Sequence, residues 1–183
     1  MRALRTPAWL TGAAACALIA CSGAAERAPF RAPEFTHTAG TDWLNSAPLT
    51  LAQLRGKVVL VEFWAFECVN CLNTRAWVES IAASRAAAGL VVVVAVHTPE
   101  LRDERSPDKV RAAVARLGIQ YPVMIDGDYS YWNALGNRYW PAFYLIGRDG
   151  LVRGRAIGEL HVGDDTARPL ETLIDQLLAT RRS

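Results

Sequence analysis

Lys57 to Trp77, KVVLVEFWAFECVNCLNTRAW, constrains the fold of this chain more than any other stretch. Val58 to Val61 is an unbroken apolar run, followed by Glu62 and Phe63-Trp64. A strand with one wet face would alternate; a continuous run reads as a strand covered on both faces, as in a parallel sheet. A turn follows, and Cys68-Val69-Asn70-Cys71 falls where a helix begins. Two cysteines three apart at a helix start share one side of its first turn. The amino-terminal end of a helix carries partial positive charge, which favours a thiolate over a thiol. Strand, Cys-x-x-Cys and helix in that order read as a redox dithiol. Cys68, nearest the open helix end, is the expected nucleophile, and Cys71, one turn deeper, resolves the mixed disulfide that Cys68 forms. The competing reading is half of a zinc site. Zinc takes about four ligands, and the sequence holds no second Cys-x-x-Cys and no close His pair. Val69 and Asn70 are uncharged, whereas Glu67 places a negative charge beside Cys68, which opposes the thiolate and leans the pair toward a reductant.

The rest of the chain supplies the elements such a strand needs. Leu72 to Ala88 has helical composition and meets Gly89, a good residue just past a helix end. Leu90 to Val96, LVVVVAV, is a second strand too apolar to face water. Ser106-Pro107-Asp108 combines a capping Ser, Pro at the first helical position and an acid in the first turn. Val110, Ala113, Val114 and Leu117 keep helical spacing up to Gly118. Tyr121 to Asp126 reads as a short extended piece and Tyr129 to Leu135 as a helical turn. Ala142 to Ile146 is a third strand, and Asp149-Gly150 pairs it antiparallel with Leu151 to Ile157. Leu170, Leu173, Ile174, Leu177 and Leu178 mark an amphipathic last helix. The order is β-α-β-α-β-β-α, and its first two units demand parallel crossovers.

The amino terminus reads differently. Arg2 and Arg5 precede an Ala- and Leu-rich stretch from Ala8 to Ala20, the layout of a secretory signal. That stretch is too short to cross a hydrocarbon core of about 30 Å as a helix. Removing it takes away two of the 20 basic residues and leaves 18 against 18 acidic ones. A neutral chain gives no electrostatic case for nucleic acid. Cys16 goes with the signal and Cys21 stands at its end, so Cys68 and Cys71 alone of the four cysteines remain in the folded body. Ser22 to Gly40, rich in Ala, Pro, Arg and Thr without apolar periodicity, reads as a flexible tether. The expected division is therefore a signal over residues 1–21, a tether over 22–41 and one domain over 42–183.

Four segments carry a family resemblance: GKVVLVEFW, FWAFECVNC, VAVHTPE and RYWPAFYLIGRDG. Together they resemble the TlpA/DipZ-like periplasmic thiol–disulfide oxidoreductases of the thioredoxin superfamily, over roughly Asp42 to Leu178. The resemblance implies an α/β, thioredoxin-like fold: a central mixed β-sheet flanked by helices, preceded by an N-terminal hairpin extension around Trp43 to Leu54. It makes Glu62 the counterpart of a buried acid that takes and returns the Cys71 proton. The other reading of Glu62 is an exposed edge position or a salt bridge. It makes Trp140-Pro141 the cis-proline beside Cys68, whose backbone pairs with an extended substrate; an ordinary trans loop proline is the alternative. Trp64, Tyr139 and Trp140 would then form an apolar rim for a protein partner, unless they are core aromatics. His97 falls at the sheet end that carries the site, and a surface histidine capping a loop is favoured there over a proton relay. Leu18-Ile19-Ala20-Cys21 resembles the lipobox of bacterial lipoproteins, with Cys21 the lipidated residue; plain signal cleavage is the alternative. Glu67 departs from the resemblance, since such sequences usually carry a neutral residue there.

The function these residues imply is an extracytoplasmic thiol–disulfide oxidoreductase that reduces or exchanges disulfides of exported proteins, acting as a monomer. Its electrons would come from a membrane-embedded donor such as a DsbD/CcdA-like protein, since no G-x-G-x-x-G and no Walker loop is present and no cofactor is expected. Two alternatives stand. A peroxiredoxin-type thiol peroxidase needs a hydroxyl residue shortly before its cysteine, where Ala65-Phe66-Glu67 stands. A Sco-like copper protein uses a wider cysteine spacing, with His97 as the available third ligand.

Overall fold

A computed structural model of the chain describes residues 28–85 and 91–180. The expected signal, the Cys21 site, Gly89 as a helix stop and Leu90 as a strand start lie outside the described residues. The elements are β1 (Phe30–Arg31), β2 (Trp43–Leu44), β3 (Val58–Trp64), α1 (Val69–Arg85), β4 (Val91–His97), α2 (Pro107–Leu117), β5 (Val123–Ile125), α3 (Ser130–Ala134), β6 (Ala142–Ile146), β7 (Leu151–Ile157) and α4 (Arg168–Ala179). The strands form one mixed sheet in the order β1-β7-β6-β3-β4-β5-β2. β3, β4 and β5 run parallel, as the two crossovers require; β6 pairs antiparallel with β3, and β7 pairs antiparallel with β6.

All seven residues of β3 are buried. Val59, Val61 and Phe63 enter one apolar cluster, with Phe35, Trp43, Tyr131 and Tyr144. Val58 and Leu60 enter another, beneath α1 and α4 with Trp77, Val78 and Ile174. The apolar run has no polar face because helices cover one side of the sheet and the amino-terminal segment with α3 covers the other. By strand alternation Glu62 shares its face with Val58, Leu60 and Trp64, the side beneath α1.

Local signals place the helices. Ser106 caps α2 by accepting the Lys109 N–H, Pro107 opens it, and Gly118 ends it at φ +68°. β6 and β7 have their expected limits, with Gly150 at φ +76° in the turn between them.

The amino-terminal expectations need two corrections. The extension around Trp43 to Leu54 holds one short strand, β2, and no hairpin among the described residues. β1 pairs with β7 at one edge of the sheet and β2 with β5 at the other. Nor is the stretch from Phe30 onward a tether: Ala32 and Phe35 are buried, Phe35 meets Trp43 and Tyr131 edge-on or tilted, and the Ala32 N–H bonds to Gly150 O at 3.0 Å. Isolated apolar residues between Pro and Arg show no period, yet each fills a gap over the sheet that a two-residue strand is enough to anchor. No helix among the described residues is long and apolar enough to cross a membrane.

Candidate redox site

β3 delivers the chain to Trp64, and Ala65-Phe66-Glu67 turns it into α1. Cys68 caps that helix: its N–H bonds to Ala65 O at 3.3 Å and its carbonyl accepts the Leu72 N–H at 3.0 Å. Cys68 and Cys71 are joined as a disulfide, with Cα atoms 5.2 Å apart. The Cys71 N–H points at Cys68 Sγ, 3.3 Å away. One of the free amides at the helix start is therefore aimed at the sulfur that would carry negative charge once the bond is opened. Exposure separates the two residues: Cys68 keeps 8% of its surface and Cys71 only 1%.

Glu62 is 2% exposed, and among the described residues no hydrogen bond reaches its carboxyl. Burial pushes its pKa up to about 8; nearby Arg75 opposes the shift and Glu79 adds to it. The exposed-edge and salt-bridge readings of Glu62 do not hold.

The Trp140–Pro141 peptide is cis. Trp140 is partly buried and packs against the cluster that holds both cysteines. Its ring lies 4.1 Å from that of Trp132, and its Nε1–H donates to Thr98 O at 2.9 Å. Tyr139, beside it, is 55% exposed. Trp64 is not part of that rim. It is 2% exposed, so it is a core aromatic between the sheet and α2.

His97 is also corrected. It is fully buried, with the Trp64 ring edge-on at 5.2 Å and the Phe66 ring stacked at 5.4 Å. Neither ring nitrogen has a hydrogen-bond partner. Desolvation lowers its pKa to about 4, against a smaller upward pull from Glu104, so the ring is neutral at pH 7. Because the folded value lies below the ordinary 6.5, this group's stability is fully present above pH 6.5 and is lost as pH falls through 4. His97→Phe should therefore lose less stability than the wild type between pH 7 and pH 4, by up to about 3 kcal/mol. Urea unfolding at pH 7, 5 and 4 measures the difference, and parallel acid limbs for the two proteins would refute it.

Two residues not singled out from the sequence shape the surroundings. Buried Asp126 accepts the N–H groups of Tyr131 and Trp132 at 3.0 Å each, together with the Thr98 hydroxyl. It thereby fixes α3, which carries the Trp132 ring under Trp140. His37 and Asp128 bring ligand atoms within 4.8 Å of it, a grouping able to hold a cation. The Asp126 oxygens are already taken up by backbone and hydroxyl donors, and this accounts for the residue structurally. Buried Glu104 accepts three backbone N–H groups, including that of Glu67. Nothing in the pattern around 98–105 marks Glu104, because its partners are main-chain groups.

Comparison with known proteins gives one consistent answer. The family described as Redoxin matches residues 28–174. Protein DipZ of Mycobacterium tuberculosis is 44% identical over 141 residues, which is 75% of this chain and 19% of that protein. The thiol-disulfide oxidoreductase YkuV of Bacillus subtilis is 30% identical, covering 75% of this chain and 88% of YkuV. Among solved structures, a thiol-disulfide isomerase from Corynebacterium glutamicum superposes with a TM-score of 0.67 at 26% identity, covering 82% of this chain and 98% of that one. The chain thus spans about a fifth of the mycobacterial DipZ it matches and nearly all of the smaller oxidoreductases.

Proposed function

The chain belongs to the Redoxin family and is a thiol–disulfide oxidoreductase of thioredoxin-like fold; from that premise we propose that it reduces or exchanges disulfides of exported proteins outside the cytoplasm, through Cys68 and Cys71. The observation that carries this reading is the pair itself: two cysteines at the start of α1, joined to each other, one partly open to solvent and one sealed.

In the reducing direction the Cys68 thiolate attacks one sulfur of a client disulfide. A Cys68–client disulfide forms, and the other client sulfur leaves as a thiolate. Cys71 then gives up its proton and attacks Cys68 Sγ. The Cys68–Cys71 disulfide forms and the second client thiolate is released, so two electrons have passed to the client. Glu62 is the proton partner on this path. In its ionised form it takes the Cys71 proton. In its neutral form it returns a proton to Cys71 when a donor dithiol reopens the bond. Trp140 and cis-Pro141 form the wall against which an extended client segment lies, and Tyr139 is the exposed aromatic at its edge.

The resemblance of Leu18 to Cys21 to a lipobox supports a lipid on Cys21 and a place on the outer face of a bacterial membrane, with a membrane-embedded protein as electron donor. Mass spectrometry of the mature amino terminus tests the anchor: a diacylated Cys21 is expected, and an unmodified one retained in the chain refutes it. The redox assignment is tested by insulin-disulfide reduction with the purified protein in the presence of a dithiol. Turnover is expected. Rapid peroxide reduction with insulin left intact would overturn the assignment.

A further inference from the structure

Glu104 is a buried carboxylate that the dithiol chemistry leaves without a task. It lies on a short 3-10 turn, Arg102–Arg105, in the connection between β4 and α2, and it is 1% exposed. Its Oε2 accepts the N–H groups of Glu100 and Leu101 at 2.7 and 2.8 Å. Its Oε1 reaches across to the Glu67 N–H at 2.8 Å. Three donors suit a carboxylate, which offers acceptors only. Its contact with Glu67 is the one that crosses from this turn to the active-site loop, and it falls one residue before Cys68.

A neutral side chain could have tied these loops together at lower desolvation cost. The charge therefore calls for its own account. His97, close enough to feel it, is neutral at pH 7. Glu67 is exposed and of the same sign, and Glu62 lies under α1. Arg102 and Arg105 flank Glu104 in sequence but are exposed, Arg105 standing over the Tyr129 ring at 5.5 Å. Arg75 is taken by Glu79 and by the Leu117 carbonyl. Within the interior beside Cys68, the Glu104 charge has no buried cation among the described residues to cancel it, and its field is little screened there.

We propose that Glu104 is a positioning residue with a second effect: it pins the peptide before Cys68 and, by its negative charge, disfavours the Cys68 thiolate and so holds the dithiol toward the reducing end. This rests on the reading of Cys68 as nucleophile. A thiolate that is harder to form destabilises the reduced pair relative to the disulfide, which is the direction of a stronger reductant.

The test compares wild type, Glu104→Gln and Glu104→Asp by glutathione redox equilibrium and by the pH dependence of Cys68 thiolate absorbance. Gln removes the charge and keeps one acceptor oxygen. Its pair should become more oxidising by about threefold to tenfold in the dithiol–disulfide equilibrium, or about 15 to 30 mV at 29.6 mV per tenfold. Cys68 should ionise at lower pH. Asp keeps the charge but falls short of Glu67, so its potential should stay near the wild-type value while the Glu67 amide loses protection from hydrogen exchange. In the wild type that amide should be protected although Glu67 itself is exposed, a measurement that needs no variant to fold. An unmoved potential in Gln, an equal shift in Asp and Gln, or a freely exchanging Glu67 amide overturns the proposal. Wild-type insulin reduction separates the two levels: if it is absent, the dithiol reading fails; if it is present with an unmoved potential in Gln, only the role of Glu104 fails.

Discussion

The Cys71→Ser protein, mixed with a disulfide-bonded client, is expected to accumulate a covalent adduct on Cys68, and the Cys68→Ser protein is expected to accumulate none. The asymmetry comes from burial. Cys71 retains 1% of its surface, so no client sulfur can approach it in line, whereas Cys68 is partly open and receives the Cys71 N–H at 3.3 Å. With Ser at position 71 the first displacement still proceeds and the second has no nucleophile. With Ser at position 68 the reaction has no reachable thiolate, and insulin reduction should fall by on the order of 10⁴-fold or more, as when a covalent catalyst loses its attacking group. Non-reducing electrophoresis followed by mapping of the linked peptide distinguishes the two variants. An adduct on Cys71 in Cys68→Ser, or equal trapping in both, would reverse the assignment of attacking and resolving sulfurs.

What could be read from the sequence divides along a physical line. Elements whose signals are local came through: the covered strand β3, the Ser106-Pro107 start and Gly118 stop of α2, and the turn at Asp149-Gly150 that sets β6 against β7. Each depends on periodicity or on a backbone conformation that one residue type favours. Features made by distant pairing did not. β1 is two residues long and has meaning only against β7, more than a hundred positions away. His97 looks like a loop histidine until the Trp64 and Phe66 rings close over it. The placing of Trp64 in a substrate rim failed for a related reason, since alternation along β3 turns it beneath the helices with Glu62, while Tyr139 and Trp140 lie on a separate loop. Glu104 gave no signal because its donors are amides, and main-chain partners leave no residue pattern.

Glu62→Gln should raise stability at alkaline pH while slowing the resolving step, a combination that an ordinary core substitution does not produce. The folded pKa of Glu62 is about 8 against an ordinary 4.5. Between those values the folded chain holds a proton that the unfolded chain has released. Stability from this group is therefore complete below pH 4.5 and is lost as pH rises through 8. His97 runs the other way between 4 and 6.5. The two contributions should offset each other up to about pH 6.5, and the wild type should then weaken toward pH 8. Replacing Glu62 by Gln removes the decline: near pH 5 the two proteins should differ little, and by pH 9 the variant should be more stable by up to about 5 kcal/mol. The same change takes away the group that accepts the Cys71 proton, so release of client from the mixed disulfide should slow by about 10²-fold, and the rise in rate as pH approaches 8 should disappear. Denaturant unfolding from pH 5 to 9 reads the first effect and single-turnover decay of a preformed Cys68 adduct reads the second. A variant whose stability profile parallels the wild type would show that Glu62 is not held neutral in the interior. An unaltered pH–rate profile would show that the Cys71 proton leaves by another route.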